Sequence, residues 1–180
     1  VIPWVYSLEN LRDIYQIAVA VAGDEESLRE RPFFALFATS LAPLQHTDKR
    51  MDTALWAVER GIPVVYMGGG SAGSTAPITG AGALVVSLAS ALSGLAAMQL
   101  KGPGAAVCIG AVPSAMDLRT ARPSYGGPEM SLYSAAFSEL TRYLGVPFMG
   151  TAGASESKLL DTQAAIESTV QVLLSGLSST

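Results

Sequence analysis

Charge is what this sequence has least of. Only 14% of its 180 residues are Asp, Glu, Lys or Arg, against about 25% in an ordinary soluble domain. So few charges cannot coat a lone globule of this length. Much of the surface is therefore expected to lie against other protein, either more of the same polypeptide or a partner subunit, and the chain reads as a homo-oligomer. The net charge of -4 comes with no block of like charges, which argues against a nucleic-acid partner. The single cysteine, Cys108, excludes a disulfide framework and, in its apolar run, reads as a buried inert thiol. The single histidine, His46, cannot make a zinc site without a ligand-spaced cluster, so no metal is expected. No signal peptide is visible, and the expected location is cytoplasmic. Residues 78–100 carry no charge and are long enough to cross a bilayer. Gly, Ala and Ser interrupt them throughout, however, and no basic flank or aromatic belt marks both ends. They read as a helix buried on most sides, with no membrane partner.

What is present is a repeated grammar: a short apolar run, a polar or glycine-rich turn, then a helical pattern. Val1 to Val5 precedes a helix from about Ser7 to Ala22, with Ser7 as N-cap and Gly23 as stop. Phe33 to Ala38 is the second strand, followed by a helical signal from Lys49 to Arg60. Pro63 to Met67 feeds the long helix. Ala105 to Ile109 is followed by a helix from Pro128 to Leu144, and Val146 to Met149 by a helix from Ser157 onward. Strands without polar alternation, each followed by a helix, mean an α/β fold with a parallel sheet. Two architectures fit: a doubly wound open sheet, or part of an eight-fold β/α barrel, because five units cannot close one. Both place their sites where strands end and helices begin.

The turns at those ends hold the candidate residues. Ser40 and His46 follow the second strand. The third strand leads into the glycine-rich stretch GGGSAGST, residues 68–75. It almost fits a P-loop, but Ser74 stands where the lysine belongs, and no acid is placed to hold a ribose. A nucleotide-binding doubly wound domain is thereby the weaker reading. What remains is a smooth wall of small residues, with Ser74 and Thr75 as hydroxyl donors. The fourth turn, from Gly110, is far longer than the roughly 2–6 residues usual for such connections. It carries Asp117, Arg119, Arg122 and Tyr125. Asp117 and Arg119 either serve a ligand or pair with each other, while Tyr125 and Tyr133 offer π-faces to a cation. The fifth turn places Glu156 and Lys158 beside a helix start, a position suited to acid–base work, unless Lys158 pairs with Asp161.

Three blocks, RGIPVVYMGGGSAGSTAPITGAGAL, DLRTARPSYGGPE and SESKLLDTQAAIES, together resemble the trimethylamine methyltransferase (MttB-like) superfamily, which includes glycine betaine methyltransferases. Arg31 to Phe34 and Ser40 to Leu44 extend the likeness along nearly the whole chain. The resemblance implies that residues 1–180 are a single α/β segment, about five of the eight units of a TIM-type barrel, from a longer methyltransferase. It implies one-carbon metabolism of the methanogenic kind: methyl transfer from a methylamine or betaine to the Co(I) of a separate, cognate corrinoid protein. No cofactor would be bound directly. In the trimethylamine enzymes a pyrrolysine does the amine chemistry. This sequence contains none, which favours a quaternary amine, whose methyl groups need no activation beyond positioning. A binding module for quaternary ammonium is the alternative. On this reading Tyr66, Tyr125 and Phe148 would face the cation, Asp117 or Glu156 would complement its charge, and Arg119 or Arg122 would meet a betaine carboxylate.

Overall fold

A computed structural model describes residues 1–178. In chain order its elements are α1 (Leu8–Ala22), α2 (Glu25–Glu30), β1 (Leu36–Thr39), α3 (Asp48–Glu59), β2 (Val64–Gly68), β3 (Ser71–Ala72), α4 (Gly80–Lys101), β4 (Val107–Ala111), β5 (Ser114–Asp117), β6 (Arg122–Ser124), α5 (Pro128–Leu144), β7 (Phe148–Met149) and α6 (Thr162–Ser178). The main sheet runs β1-β2-β4-β7, with every pair parallel. Ahead of β1, Trp4 forms a parallel bridge to Phe37. The five expected units are therefore present, side by side in chain order. The first is reduced to a bridge, because Pro3 lacks the N–H that a ladder needs. Its carbonyl still accepts from Phe37 N–H at 3.0 Å.

The parity of burial separates the two candidate architectures. The core takes Leu36, Ala38, Val64, Tyr66, Val107, Ile109 and Ala111 from the strands. These alternate residues share one face, and the helices pack against that face with Leu11, Tyr15, Ala57, Ala91, Met98 and Phe137. The intervening residues Phe37, Val65, Met67 and Cys108 point the other way and lie outside that cluster. Helices on one face and strands in unbroken chain order match a segment of barrel wall. A doubly wound sheet has helices on both faces and reverses its strand order. Cys108 is half-buried on the helix-free face rather than fully enclosed, and burial pushes its thiol pKa up.

Local chemistry sets the helix limits. The Ser7 hydroxyl accepts from Asn10 N–H at 3.2 Å, which caps α1, and Gly145 ends α5 in the left-handed region at φ 67°. The long apolar helix α4 is of membrane-spanning length, yet it lies across β2 and β4, with Ala83, Ser87, Ser90, Ala91, Gly94 and Met98 buried there. Gly94 is what allows the close approach: a Cβ at that position would stand 2.2 Å from Tyr66 Cε1. The last helix begins later than expected, at Thr162, because Asp161 caps it by accepting from Ala164 N–H at 2.9 Å. Helix α2 carries one buried apolar residue, Leu28, too little for a periodic signal. A second sheet, β3-β5-β6, rises from the strand ends. It comprises part of the glycine-rich stretch and part of the long fourth turn.

Candidate functional site

The turns leaving β1, β2 and β4 enclose a cup of about 280 Å³ at the C-terminal ends of the strands. From β1 come Phe37, Thr39 and Ser40, and from β2 and its turn come Met67, the backbone of Gly68 to Gly70, Ser71 and Thr75. The β4 turn contributes Val112, Ser114, Pro123 and Tyr125. The small sheet builds this turn: Ser71 pairs with Ser114, and their hydroxyls approach to 3.1 Å. Antiparallel pairing of β5 with β6 then folds the chain back and brings Pro123 and Tyr125 over the cup.

Beside the cup, Trp4 and Tyr6 stack with ring centroids 6.1 Å apart, and Trp4 meets Phe37 at 6.2 Å. Trp4, Tyr6 and Phe37 share a small adjoining hollow. Phe37 and Thr39 line both spaces and form the wall between them. Residues of these three aromatics' parity face away from the helices, which puts Phe37 in the cup and Trp4 and Tyr6 in the hollow beside it.

Tyr125, Ser40 and Thr75 line the cup. Thr75 Oγ1 accepts from Ser71 N–H at 2.9 Å and so holds the glycine turn. Ser74, its neighbour, is exposed, and its hydroxyl donates back to Ser71 O at 3.4 Å outside the cup. The small-residue wall is partly a packing requirement. A Cβ on Gly68 would lie 2.1 Å from the Ser87 carbonyl of α4, whereas on Gly69 it would meet only Ala42 Cβ, at 3.5 Å.

Two aromatic assignments are corrected. Tyr66 and Phe148 have the parity of the helix side. Tyr66 is buried under Gly94, and Phe148 packs on Phe137 of α5 at 5.6 Å. Tyr133 belongs to the α4–α5 contact, where its ring fills the space a Cβ on Gly80 would need. Tyr66 instead bonds His46 Nδ1 at 2.6 Å, while His46 Nε2 lies 2.7 Å from Ser93 Oγ. Ser93 in turn donates to Ser90 O at 3.0 Å. With both ring nitrogens engaged, His46 anchors the β1–α3 turn to α4. Burial pushes the Tyr66 pKa up to about 12.

The charged residues are likewise tied locally. The Asp117 carboxylate accepts from Thr120 Oγ1 at 2.8 Å and from Arg119 N–H at 2.9 Å. The Thr120 bond, foremost, holds its pKa below the usual carboxylate range. Arg119 therefore meets Asp117 through its backbone N–H, and the Arg119 and Arg122 side chains are exposed. Lys158 is exposed too, and the ion pairs among the described residues join Glu59 to Arg60 and Lys101. Lys158 therefore makes no ion pair with Asp161. Glu156 is fixed in place: its Oε1 accepts from Tyr125 N–H at 2.6 Å and from Gly126 N–H at 3.3 Å.

Two residues missed by the sequence reading complete this clamp. Glu167 accepts from Ser155 Oγ at 2.7 Å, Glu156 N–H at 2.8 Å and Gln163 Nε2 at 2.9 Å. These bonds, Ser155 first, hold its carboxyl pKa low. The buried Gln171 accepts from Ala154 N–H at 2.9 Å and donates to the Tyr125 carbonyl. Their polar spacing on α6 resembles that of any solvated helix face, so only the fold reveals their partners. Among the described residues no cluster of three or more His, Cys, Asp or Glu could hold a metal. A larger groove of about 410 Å³, lined by Tyr15, Trp56 and Arg60, lies in the helix layer, away from the strand ends.

The sequence matches the family model described as trimethylamine methyltransferase (MTTB) over residues 2–180. It is 32% identical over 169 residues to a trimethylamine methyltransferase MttB of Desulfitobacterium hafniense (strain DSM 10664 / DCB-2), covering 94% of this chain and 34% of that relative. A second MttB, from Methanosarcina barkeri (strain Fusaro / DSM 804), is 33% identical over 172 residues, 96% of this chain and 34% of its own. A glycine betaine methyltransferase of Desulfitobacterium hafniense (strain Y51) is 31% identical over 170 residues, 94% of this chain and 36% of its own. The chain spans about a third of the length of these curated relatives.

Proposed function

From the premise that this chain belongs to the trimethylamine methyltransferase family, we propose that it carries strand-end turns of an enzyme that demethylates a quaternary amine such as a betaine. The acceptor is a separate corrinoid protein, and the setting is the cytoplasm. The observation that carries this reading is the lining of the cup: aromatic, small and hydroxylic side chains, with no carboxylate, histidine or lysine among them. A secondary or tertiary amine leaves as a strong base and needs a proton or an activating group. A quaternary amine leaves as a neutral amine once a methyl group is taken, so a cup without acid–base groups suffices for it. The rings of Phe37 and Tyr125 can face the ammonium, at about 0.5–2 kcal/mol for each good contact. Positioning then supplies most of what the protein must contribute.

The corrinoid, brought by the partner, supplies a low-valent cobalt nucleophile for the methyl group. The glycine turn suits such an approach, because Gly69 offers bare backbone with only Ala42 Cβ near its missing side chain. The clamp of Glu156, Glu167 and Gln171 keeps Tyr125 over the cup.

The test mixes the intact protein with a reduced corrinoid protein and a panel of methylamines and betaines, and follows methyl-cobalt absorbance. Transfer from a quaternary amine supports the reading. Calorimetric binding of a quaternary amine without transfer from any donor would establish the binding module instead. Transfer from trimethylamine alone would overturn the assignment of substrate class.

A further inference from the structure

In the helix layer, α1 and α3 flank a groove of about 410 Å³, a size that suits a small ligand. Its apolar surface is a corner of two rings. Tyr15 of α1 and Trp56 of α3 meet edge-on at 85°, with centroids 5.4 Å apart, and Val19 extends that surface. Arg60, which ends α3, lays its guanidinium on the indole with Cζ 3.8 Å from the ring centroid. The stack holds this planar group in one orientation. Its polar contacts are poor: Nη1 reaches the Trp56 carbonyl at 3.5 Å and Glu59 Oε2 at 3.8 Å. Glu59 is better served by Lys101, whose Nζ stands 2.5 Å from Oε1. Arg60 Nε and Nη2 therefore keep their donors free among the described residues. Arg12 lines the same groove, is exposed, and makes no hydrogen bond or ion pair among the described residues.

Two guanidinium groups stand against one carboxylate in the lining, that of Glu25 in α2. The groove thus carries one positive charge in excess. A monoanion balances it, whereas Glu25 repels a dianion more strongly. A guanidinium with a free edge takes a carboxylate bidentately, and the ring corner gains from covering by a flat apolar body. We propose that this groove is a second binding site, separate from the cup, for a small aromatic carboxylate, with its anion on Arg60 and Arg12 and its ring against Tyr15 and Trp56. A betaine brings a cation and no ring, so cup and groove select different ligands. The two sites share no lining residue, and the proposal is independent of the quaternary-amine reading.

The probe is benzoate, titrated into the intact protein by calorimetry, with benzyl alcohol and acetate as the controls that lack the charge or the ring. Trp56 is one of two tryptophans, so in a Trp4→Phe background its emission reports occupancy of the groove directly. Benzoate is expected to bind saturably and to change that emission, with both controls at least several-fold weaker. Arg60→Gln should weaken benzoate roughly tenfold or more, and Arg60→Lys, which keeps the charge but not the fork, should recover only part of the loss. If Arg60→Gln does not fold, Arg12→Gln decides the matter, because Arg12 holds no contact that the fold needs, and a several-fold loss of benzoate affinity is expected. Benzyl alcohol binding as tightly as benzoate, or benzoate affinity indifferent to both arginines, would reduce the Arg60–Trp56 stack to surface packing and overturn the proposal. So would the absence of any saturable signal from the intact protein, which would mean that the groove is filled by other parts of the polypeptide.

Discussion

The backbone N–H of Tyr125 donates to Glu156 Oε1 across 2.6 Å, tying the fourth strand-end turn to the fifth. The acid is an anchor in this arrangement, and the tyrosine ring is what the anchor delivers to the cup. Glu156→Gln keeps an acceptor in place and should retain methyl transfer within a few-fold. Glu156→Ala removes the acceptor and should cost about 1.5 kcal/mol of stability, with faster amide exchange at residues 125–126. If Glu156→Gln abolished transfer and flattened its pH profile while the fold held, Glu156 would be an acid–base residue after all.

Gly94 is the notch into which Tyr66 packs, with 2.2 Å left for any added Cβ. Gly94→Ala should destabilise the protein by about 1–3 kcal/mol through overpacking, even though alanine in a helix recovers up to about 1 kcal/mol. Tyr66→Phe keeps the ring but leaves His46 Nδ1 without its donor, at about 1 kcal/mol. Urea unfolding of the two variants separates the terms. A Gly94→Ala variant as stable as wild type would mean that α4 can lift off β2 freely.

The Tyr66 hydroxyl also sets an alkaline limit. Its pKa stands at about 12 because burial disfavours the phenolate, against about 10 for a tyrosine in the unfolded chain. The folded state therefore holds this proton more tightly. The associated stability is complete below about pH 10 and is lost as pH rises toward 12. Unfolding free energy measured across pH 9–12 should fall for the wild type and fall less steeply for Tyr66→Phe. Parallel curves for the two proteins would show that another group governs the alkaline transition.

Self-association is the remaining expectation. Helix α4 spends its small residues on the sheet. Helix α6 instead exposes Ile166, Val170, Leu173, Leu174 and Leu177, which follow the i, i+4, i+7, i+8, i+11 spacing of one helical stripe. Light scattering should report a species larger than a monomer, and Leu173→Lys should shift it toward the monomer. A well-behaved monomer in the wild type would refute this.

The repeating run-turn-helix grammar sufficed to fix the β/α class, the five units and the rim where a site belongs. Capping residues such as Ser7, and stops such as Gly23 and Gly145, are local signals that act over a few residues of chain. The cup itself was legible only in part. Tyr125, Thr75 and the glycine turn were found, because strand-end loops announce themselves by composition. Tyr66 and Phe148 were misplaced, because in a strand buried on both faces nothing in the local pattern says which parity faces the helices. That choice is made by packing, here by the notch at Gly94 and the ring of Phe137. Trp4 and Phe37 come from separate elements, and Gln171 lies 46 residues beyond the Tyr125 carbonyl it holds. Sequence determined the elements because their signals are short-range. Tertiary structure alone decided which side chains share the cup, because that depends on strand register and on contacts between distant turns.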